Sequence, residues 1–271
     1  MKRIIRVFPT QTNQTPLDDY TFFSEPGFWV PPHDEVHISC VFTWDKPRAE
    51  QLAEAWTGKA PVKLGGPAYD DAGGEYIPGM YTRFGIVHTS RGCPNNCKFC
   101  FVPKREGKIR ELSITQGNEI QDNNFLACSE NHRGKVYDML KTQKEIKFIG
   151  GLEAGRLSDW DIEEMRKLRI KELWLACDAP ARIKTATRAI ERLRRAGFSQ
   201  NHIRCYVLCG DDMSENEERL RTVFNAGALP FAQLFQPDTK ITYSEEWKHF
   251  ARMWSRPAAF KRYMKDKEGD A

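Results

Sequence analysis

Arg91-Gly92-Cys93-Pro94-Asn95-Asn96-Cys97-Lys98-Phe99-Cys100 decides how this chain is read, because it sets three cysteines at C-x3-C-x2-C spacing inside one loop. Thiolates are soft ligands, and three from one turn can converge on a four-iron cube while one iron keeps no protein ligand. Pro94 and the Asn95-Asn96 pair favour turns, and Gly92 frees the backbone at the loop entrance. A structural zinc site ordinarily takes four ligands in two paired knuckles, whereas this loop offers three with uneven gaps, and His88 sits in a strand-like run. A disulfide framework suits short secreted chains rather than a long chain with locally clustered cysteines. Iron–sulfur is the favoured reading and zinc the alternative.

With aromatic Phe99 just before the last cysteine and Phe101 just after it, the loop resembles the signature of the radical S-adenosylmethionine (radical SAM) superfamily. The resemblance implies that Cys93, Cys97 and Cys100 hold a [4Fe-4S] cluster, that the amine and carboxylate of S-adenosylmethionine (SAM) chelate the fourth iron, and that Phe99 lies near the adenine. It also implies reductive cleavage of SAM to methionine and a 5′-deoxyadenosyl radical that abstracts hydrogen from a substrate. A reductant such as flavodoxin or ferredoxin would supply the electron. The protein's task would be to position the substrate and exclude water, since the cofactor carries the hard chemistry.

A chain of 271 residues makes one large domain or two ordinary ones and can bury roughly three quarters of its unfolded surface. With 40% hydrophobic and 29% charged residues it is globular rather than disordered. A net charge of +4 is too small to argue for or against a nucleic-acid partner. The basic N-terminus lacks an apolar signal core, and no later stretch is apolar enough to span a bilayer, so a cytoplasmic protein without a membrane partner is expected. Eight cysteines without a secretion signal then read as reduced thiols or metal ligands.

Residues 1–80 are expected to form a small α/β region of their own. Strands are predicted over 4–8 and 35–42, with a loop between them to Pro32, a helix opening at Asp45-Lys46-Pro47 with Leu52, Ala53 and Trp56 on one face, and a short strand at 62–64. This region resembles a degenerate cobalamin-binding-like domain, as found before the radical domain in one branch of the superfamily. It has no D-x-H-x-x-G sequence, so cobalamin is not expected. Gly73-Gly74-Glu75 precedes the cysteines, whereas the family's Gly-Gly-Glu motif follows them, and it is read as linker.

Residues 81–240 carry a βα rhythm. A strand over 84–89 feeds the cysteine loop, and cations Lys104, Arg105, Lys108 and Arg110 follow in a segment without a helical stripe, read either as solvated or as substrate-facing. Residues 119–125 form the next strand and its exit. Asp122, Asn123 and Asn124 resemble the polar strand end that approaches the SAM amine, with turn and cap duties as the alternative. A helix over 135–140 precedes the strand 147–153, whose Gly150-Gly151 pair is expected to admit a ligand and whose Glu153 falls on the same rim. Ser158 caps the next helix, and the strand 172–177 ends at Asp178, suited to a ribose diol. The amphipathic helix 182–196, the strand 203–209, the helix 215–224 and the strand 230–235 complete the series.

The fold expectation is therefore α/β: a partial (β/α)6 radical SAM barrel over 81–240, preceded by the small α/β region 1–80 and followed by a helical tail, 241–271. In the tail, Trp247, Phe250, Trp254 and Tyr263 either stack on bases or, as favoured, pack against the barrel. Cys40, Cys128, Cys177, Cys205 and Cys209 are scattered and read as auxiliary cluster ligands, hydrogen-atom donors or plain buried residues. The expected activity is that of a radical SAM enzyme. Nucleic acid or a nucleotide is one candidate substrate and a peptide or small metabolite another; a non-catalytic iron–sulfur or electron-transfer protein is the third reading.

Overall fold

The computed structural model describes residues 2–58, 60–71 and 74–269. The chain divides into two compact units, Met1–Gly117 with Pro237–Lys240 and Asn118–Gln236 with Ile241–Ala271. Gly73, part of the run read as linker, lies outside the described residues.

In the first unit, β1 (Ile4–Val7), β2 (Thr21–Phe22), β3 (Glu35–Ser39) and β4 (Val62–Gly65) form a wholly parallel sheet in the order β2-β1-β3-β4. The run to Pro32, expected as loop, contributes β2 because the carbonyls of Tyr20 and Phe22 accept from the amides of Arg6 and Phe8 at 2.8 and 2.9 Å. Helix α1 (Lys46–Trp56) links β3 to β4 and carries proline in its first turn, where an N–H has no intrahelical partner to lose. Its Ala49, Leu52 and Trp56 are buried in one core with Ile5, Val7, Val36 and Ile38. The unit continues through β5 (Ile86–Val87), β6 (Ser90–Arg91), the single turn α2 (Val102–Arg105) and β7 (Arg110–Glu111). The strand predicted over 84–89 is thus interrupted, with Gly85 at φ +93° and the Thr89 carbonyl accepting from Leu112 N–H at 2.9 Å.

The second unit alternates strand and helix: β8 (Glu119–Ile120), α3 (Glu130–Leu140), β9 (Ile146–Leu152), α4 (Asp159–Arg166), β10 (Ile170–Ala176), α5 (Ile183–Arg195), β11 (Ile203–Cys209), α6 (Met213–Asn225), β12 (Leu229–Leu234), α7 (Glu245–Trp254) and α8 (Pro257–Gly269). Its strands lie in the order β12-β11-β10-β9-β8, every neighbouring pair parallel. Spatial order follows chain order, so the sheet is singly wound and has no point at which the winding reverses. Local sequence signals set the helix ends. Ser158 and Asp161 form a reciprocal capping box at α4, and Gly197 at φ +97° follows the end of α5.

Along β11 the residues alternate strictly: Ile203, Cys205, Val207 and Cys209 are buried, while Arg204, Tyr206 and Leu208 are half-buried on the opposite face. Helix α6 packs on β11 and β12, and its Leu220 and Val223 join the buried side. The tail aromatics pack within this unit. Trp254 is fully buried, stacks on Phe260 at 5.7 Å and meets Tyr263 at 6.0 Å, and Tyr263 Oη donates to Glu217 Oε1 at 2.6 Å. Among the described residues no helix is long and apolar enough to cross a membrane.

Candidate functional site

The cysteine loop is the connection of a small antiparallel ribbon, in which Ser90 pairs with Glu111 and Arg91 with Arg110. Its neck is narrow. Gly92, at φ +82°, lies so close to the returning strand that a Cβ there would stand 2.2 Å from the Lys108 carbonyl oxygen, and Cys93 N–H donates to Gly107 at 3.1 Å. Arg91 Nη1 reaches Glu106 Oε1 at 2.8 Å across the same neck. Within the loop, Cys93, Cys97 and Cys100 are half-buried and reduced, alternating with exposed Pro94, Asn96 and Lys98, and Phe99 is half-buried beside them. Among the described residues no three Cys, His, Asp or Glu side chains are gathered as a ready ligand set. The three sulfurs suit a soft iron cluster in donor chemistry and in loop spacing, and would have to draw together to hold one.

The other five thiols differ in kind. Cys40, Cys128, Cys177, Cys205 and Cys209 are all buried. Burial pushes Cys40, Cys177 and Cys209 up to about 11 and raises Cys205 well above the ordinary thiol range, which holds them as thiols and makes them poor ligands. Three of the four cations after the loop are also engaged. Lys104 and Arg105 pair with Asp70 at 3.1 and 3.5 Å, Arg105 also with Asp238 at 3.6 Å, and Arg110 with Glu106 at 3.7 Å. These partners give Lys104, Arg105 and Arg110 a structural role, while Lys108 is exposed.

In the second unit the strand ends bring several predicted residues together. Asp122 and Asn124 are buried and Asn123 is half-buried directly after β8. Asn124 Nδ2 donates to Glu153 Oε2 at 2.7 Å, and Arg156 Nε donates to the same oxygen at 2.7 Å. Between them β9 bulges: Phe148 pairs with Leu173 but Leu152 with Leu175, so Ile149-Gly150-Gly151 opposes a single residue. The glycine pair splits its duties. A Cβ on Gly150 would stand 1.9 Å from the Asp122 carbonyl oxygen, so its bare Cα makes room for protein backbone on that side while Gly150 still borders the crevice that Gly151 lines. Gly151, at φ +92°, has open space around it and lines a shallow crevice with Ile120, Asp122, Phe125, Phe148 and Leu152.

Asp178 follows the end of β10. Burial raises its carboxyl to about 6 against the opposing pull of Arg219 and Arg182. Arg219, from α6, is itself buried and clasps three oxygens at these strand ends: Cys177 O at 3.3 Å, Leu208 O at 2.8 Å and Asn216 Oδ1. Asn216 Nδ2 in turn donates to Gly210 O at 2.7 Å. A basic residue in an amphipathic helix reads as solvated, so the clasp left no sequence signal apart from its register with buried Leu220 and Val223.

No protein-family model matches the chain. Over 114 residues it is 28% identical to the hopanoid C-2 methylase of Rhodopseudomonas palustris (strain TIE-1), a stretch that is 42% of this chain and 20% of the relative. The likeness is to an enzyme. It spans about a fifth of that protein's length, so the relative's activity as a whole is not carried over.

The face of the second sheet opposite the buried strand positions was not singled out in the sequence. It is layered. Nearest the strand starts, Glu119, Lys147, Glu172 and Arg204 alternate in charge from strand to strand, with Lys147–Glu119 at 2.9 Å and Arg204–Glu172 at 3.4 Å. One step further, Trp174 stacks on Tyr206 at 4.4 Å, and Phe231 meets both edge-on at 5.5 and 5.7 Å. The available signal was period-two spacing: Glu172 and Trp174, or Arg204 and Tyr206, lie two apart on one strand face.

Proposed function

We propose that this chain is a radical SAM enzyme, with Cys93, Cys97 and Cys100 as the ligands of a [4Fe-4S] cluster. The observation that carries the reading is the contrast among eight thiols: three half-exposed on one loop at C-x3-C-x2-C spacing, and five buried elsewhere. The distant likeness to a methylase supports an enzyme over an electron carrier. The singly wound parallel order of β8 to β12 supports a partial barrel, because right-handed crossovers without a reversal put their helices on one side and curl the sheet around the other.

When bound, the cluster supplies the electron that cleaves SAM to methionine and a 5′-deoxyadenosyl radical. The chain's own residues bind and orient. Phe99 is assigned to the adenine. Asp122, Asn123 and Asn124 are assigned to the SAM ammonium, for which carboxylate and amide oxygens are the fitting acceptors. Glu153, held by Asn124 and Arg156, completes that polar rim. Asp178 is assigned to the ribose hydroxyls. A flavodoxin or ferredoxin is the proposed reductant.

The test is anaerobic reconstitution with iron and sulfide, reduction with dithionite, and chromatography for 5′-deoxyadenosine formed from SAM. The wild-type protein should release it, and Cys97→Ala should reduce release to the level of free iron. Equal release from both would remove the assignment. A reconstituted cluster whose electron paramagnetic resonance signal ignores added SAM would turn the reading toward electron transfer.

A further inference from the structure

We infer that Glu106 is the positioning residue of the cysteine loop: its carboxylate, set between Arg91 and Arg110, ties the two ends of the loop together and so keeps the three thiols within reach of one soft centre. The inference rests on the assignment of Cys93, Cys97 and Cys100 as ligands made above, and adds to it the group that holds them.

The ribbon that carries the loop has little to close it. Two residue pairs join its strands, Ser90 with Glu111 and Arg91 with Arg110, and a ribbon of that size is marginal in water. The second pair works against closure, because it sets two guanidinium groups directly opposite each other, where like charges repel. Glu106 removes the conflict. Its Oε1 accepts from Arg91 Nη1 at 2.8 Å, and its Oε2 lies 3.7 Å from Arg110 Nη2. An exposed ion pair would contribute little, but here the carboxylate side chain is 8% exposed and that of Arg91 21%, so water screens the closer pair weakly.

Glu106 is itself fixed in place. Its amide donates to Val102 O at 2.8 Å at the end of α2. The preceding Arg105 lies over the Phe101 ring at 4.5 Å and pairs with Asp70 and Asp238 at 3.5 and 3.6 Å. The turn that bears Glu106 thus follows directly on Cys100, while Arg91 stands two residues before Cys93. The bond from Arg91 to Glu106 therefore closes a loop of chain that contains all three ligand cysteines. Among the described residues these are not gathered as a ready set. A loop closed in advance has less conformational freedom left to lose when its sulfurs gather, and that remaining step falls to the turn between Cys93 and Cys100.

The test uses the full chain without a cluster, under anaerobic conditions, with arsenite as the probe. Arsenite is uncharged at neutral pH and takes three thiols with release of three waters, so its ultraviolet arsenic–thiolate band reports thiol convergence without iron or SAM. Cys97→Ala should weaken binding at least tenfold, which assigns the band to this loop. Glu106→Gln, which keeps the size and removes the charge, should weaken it at least fivefold with far-ultraviolet circular dichroism unchanged. Arg91→Glu should do the same. Arg91→Glu combined with Glu106→Arg, which returns a carboxylate between two cations, should bind within twofold of wild type, a recovery that a general loss of structure cannot produce. Wild-type affinity in Glu106→Gln, or a double variant no tighter than either single one, would overturn the inference. The ligand assignment is scored separately by iron retained after reconstitution. Arsenite binding that follows Glu106 in a chain that retains no iron removes the cluster and keeps the positioning role; iron retained equally by wild type and Glu106→Gln does the reverse.

Discussion

Gly150 and Gly151 are adjacent and identical in side chain, yet the fold asks opposite things of them. Gly150 has no room for a Cβ against the Asp122 backbone, whereas Gly151 has room but a left-handed backbone. Gly150→Ala should therefore cost about 3 kcal/mol through overpacking, and Gly151→Ala about 1 kcal/mol through backbone strain alone, both read from urea unfolding midpoints. Equal effects would mean that β9 relaxes around the bulge. Asp178 makes a second prediction. Its folded carboxyl titrates near 6 against an ordinary 3.8, so between those values the folded state binds more protons than the unfolded one. Stability from this group is present at low pH and lost as pH rises through about 6. Asp178→Asn removes the loss and should gain about 2 kcal/mol over wild type at pH 7.5 relative to their difference at pH 3.5. A pH-independent difference would show that Asp178 ionises in the fold without penalty.

The elements whose ends depend on local chemistry were legible in the chain. Ser158 capping, the Gly197 stop and the strand over 203–209 all follow from residues within a few positions of one another. The cysteine loop was legible in its ligands but not in its support. That Ser90-Arg91 and Arg110-Glu111 pair as a ribbon depends on residues about twenty apart meeting in antiparallel register, which no short-range pattern encodes. Gly92 is the hinge of that support, because its bare Cα is what lets the Lys108 carbonyl close the neck. Gly92→Ala should open the loop while leaving all three cysteines in place. Iron retained per chain after reconstitution and desalting should fall at least fivefold, with far-ultraviolet circular dichroism unchanged. Full iron retention would show that the neck is dispensable for holding the ligands.

At the scale of the molecule each unit has its own buried core, and the first is centred on Trp56, fully buried, with Nε1 donating to Ser24 O at 3.1 Å. Trp56→Ala should cost about 4 kcal/mol locally. In hydrogen-exchange mass spectrometry it should deprotect β1, β3, β4 and α1 while β9 to β12 keep their protection, and deprotection spread evenly over both would show a single cooperative fold. The sequence by itself determined the thiol spacing, the alternation of strand and helix after residue 118, the start of α4 and both ends of α5, because each is written in residue types a few positions apart; the start of α3 at Glu130, expected at Lys135, was not among them. The tertiary structure alone decided which thiols are accessible, which of two neighbouring glycines fills with backbone, where Arg219 closes its grip, and that Trp174, Tyr206 and Phe231 form one surface. Those outcomes depend on strand register and on a two-residue bulge in β9. Register is settled by non-local pairing of whole strands, where a shift of one residue moves every side chain to the other face.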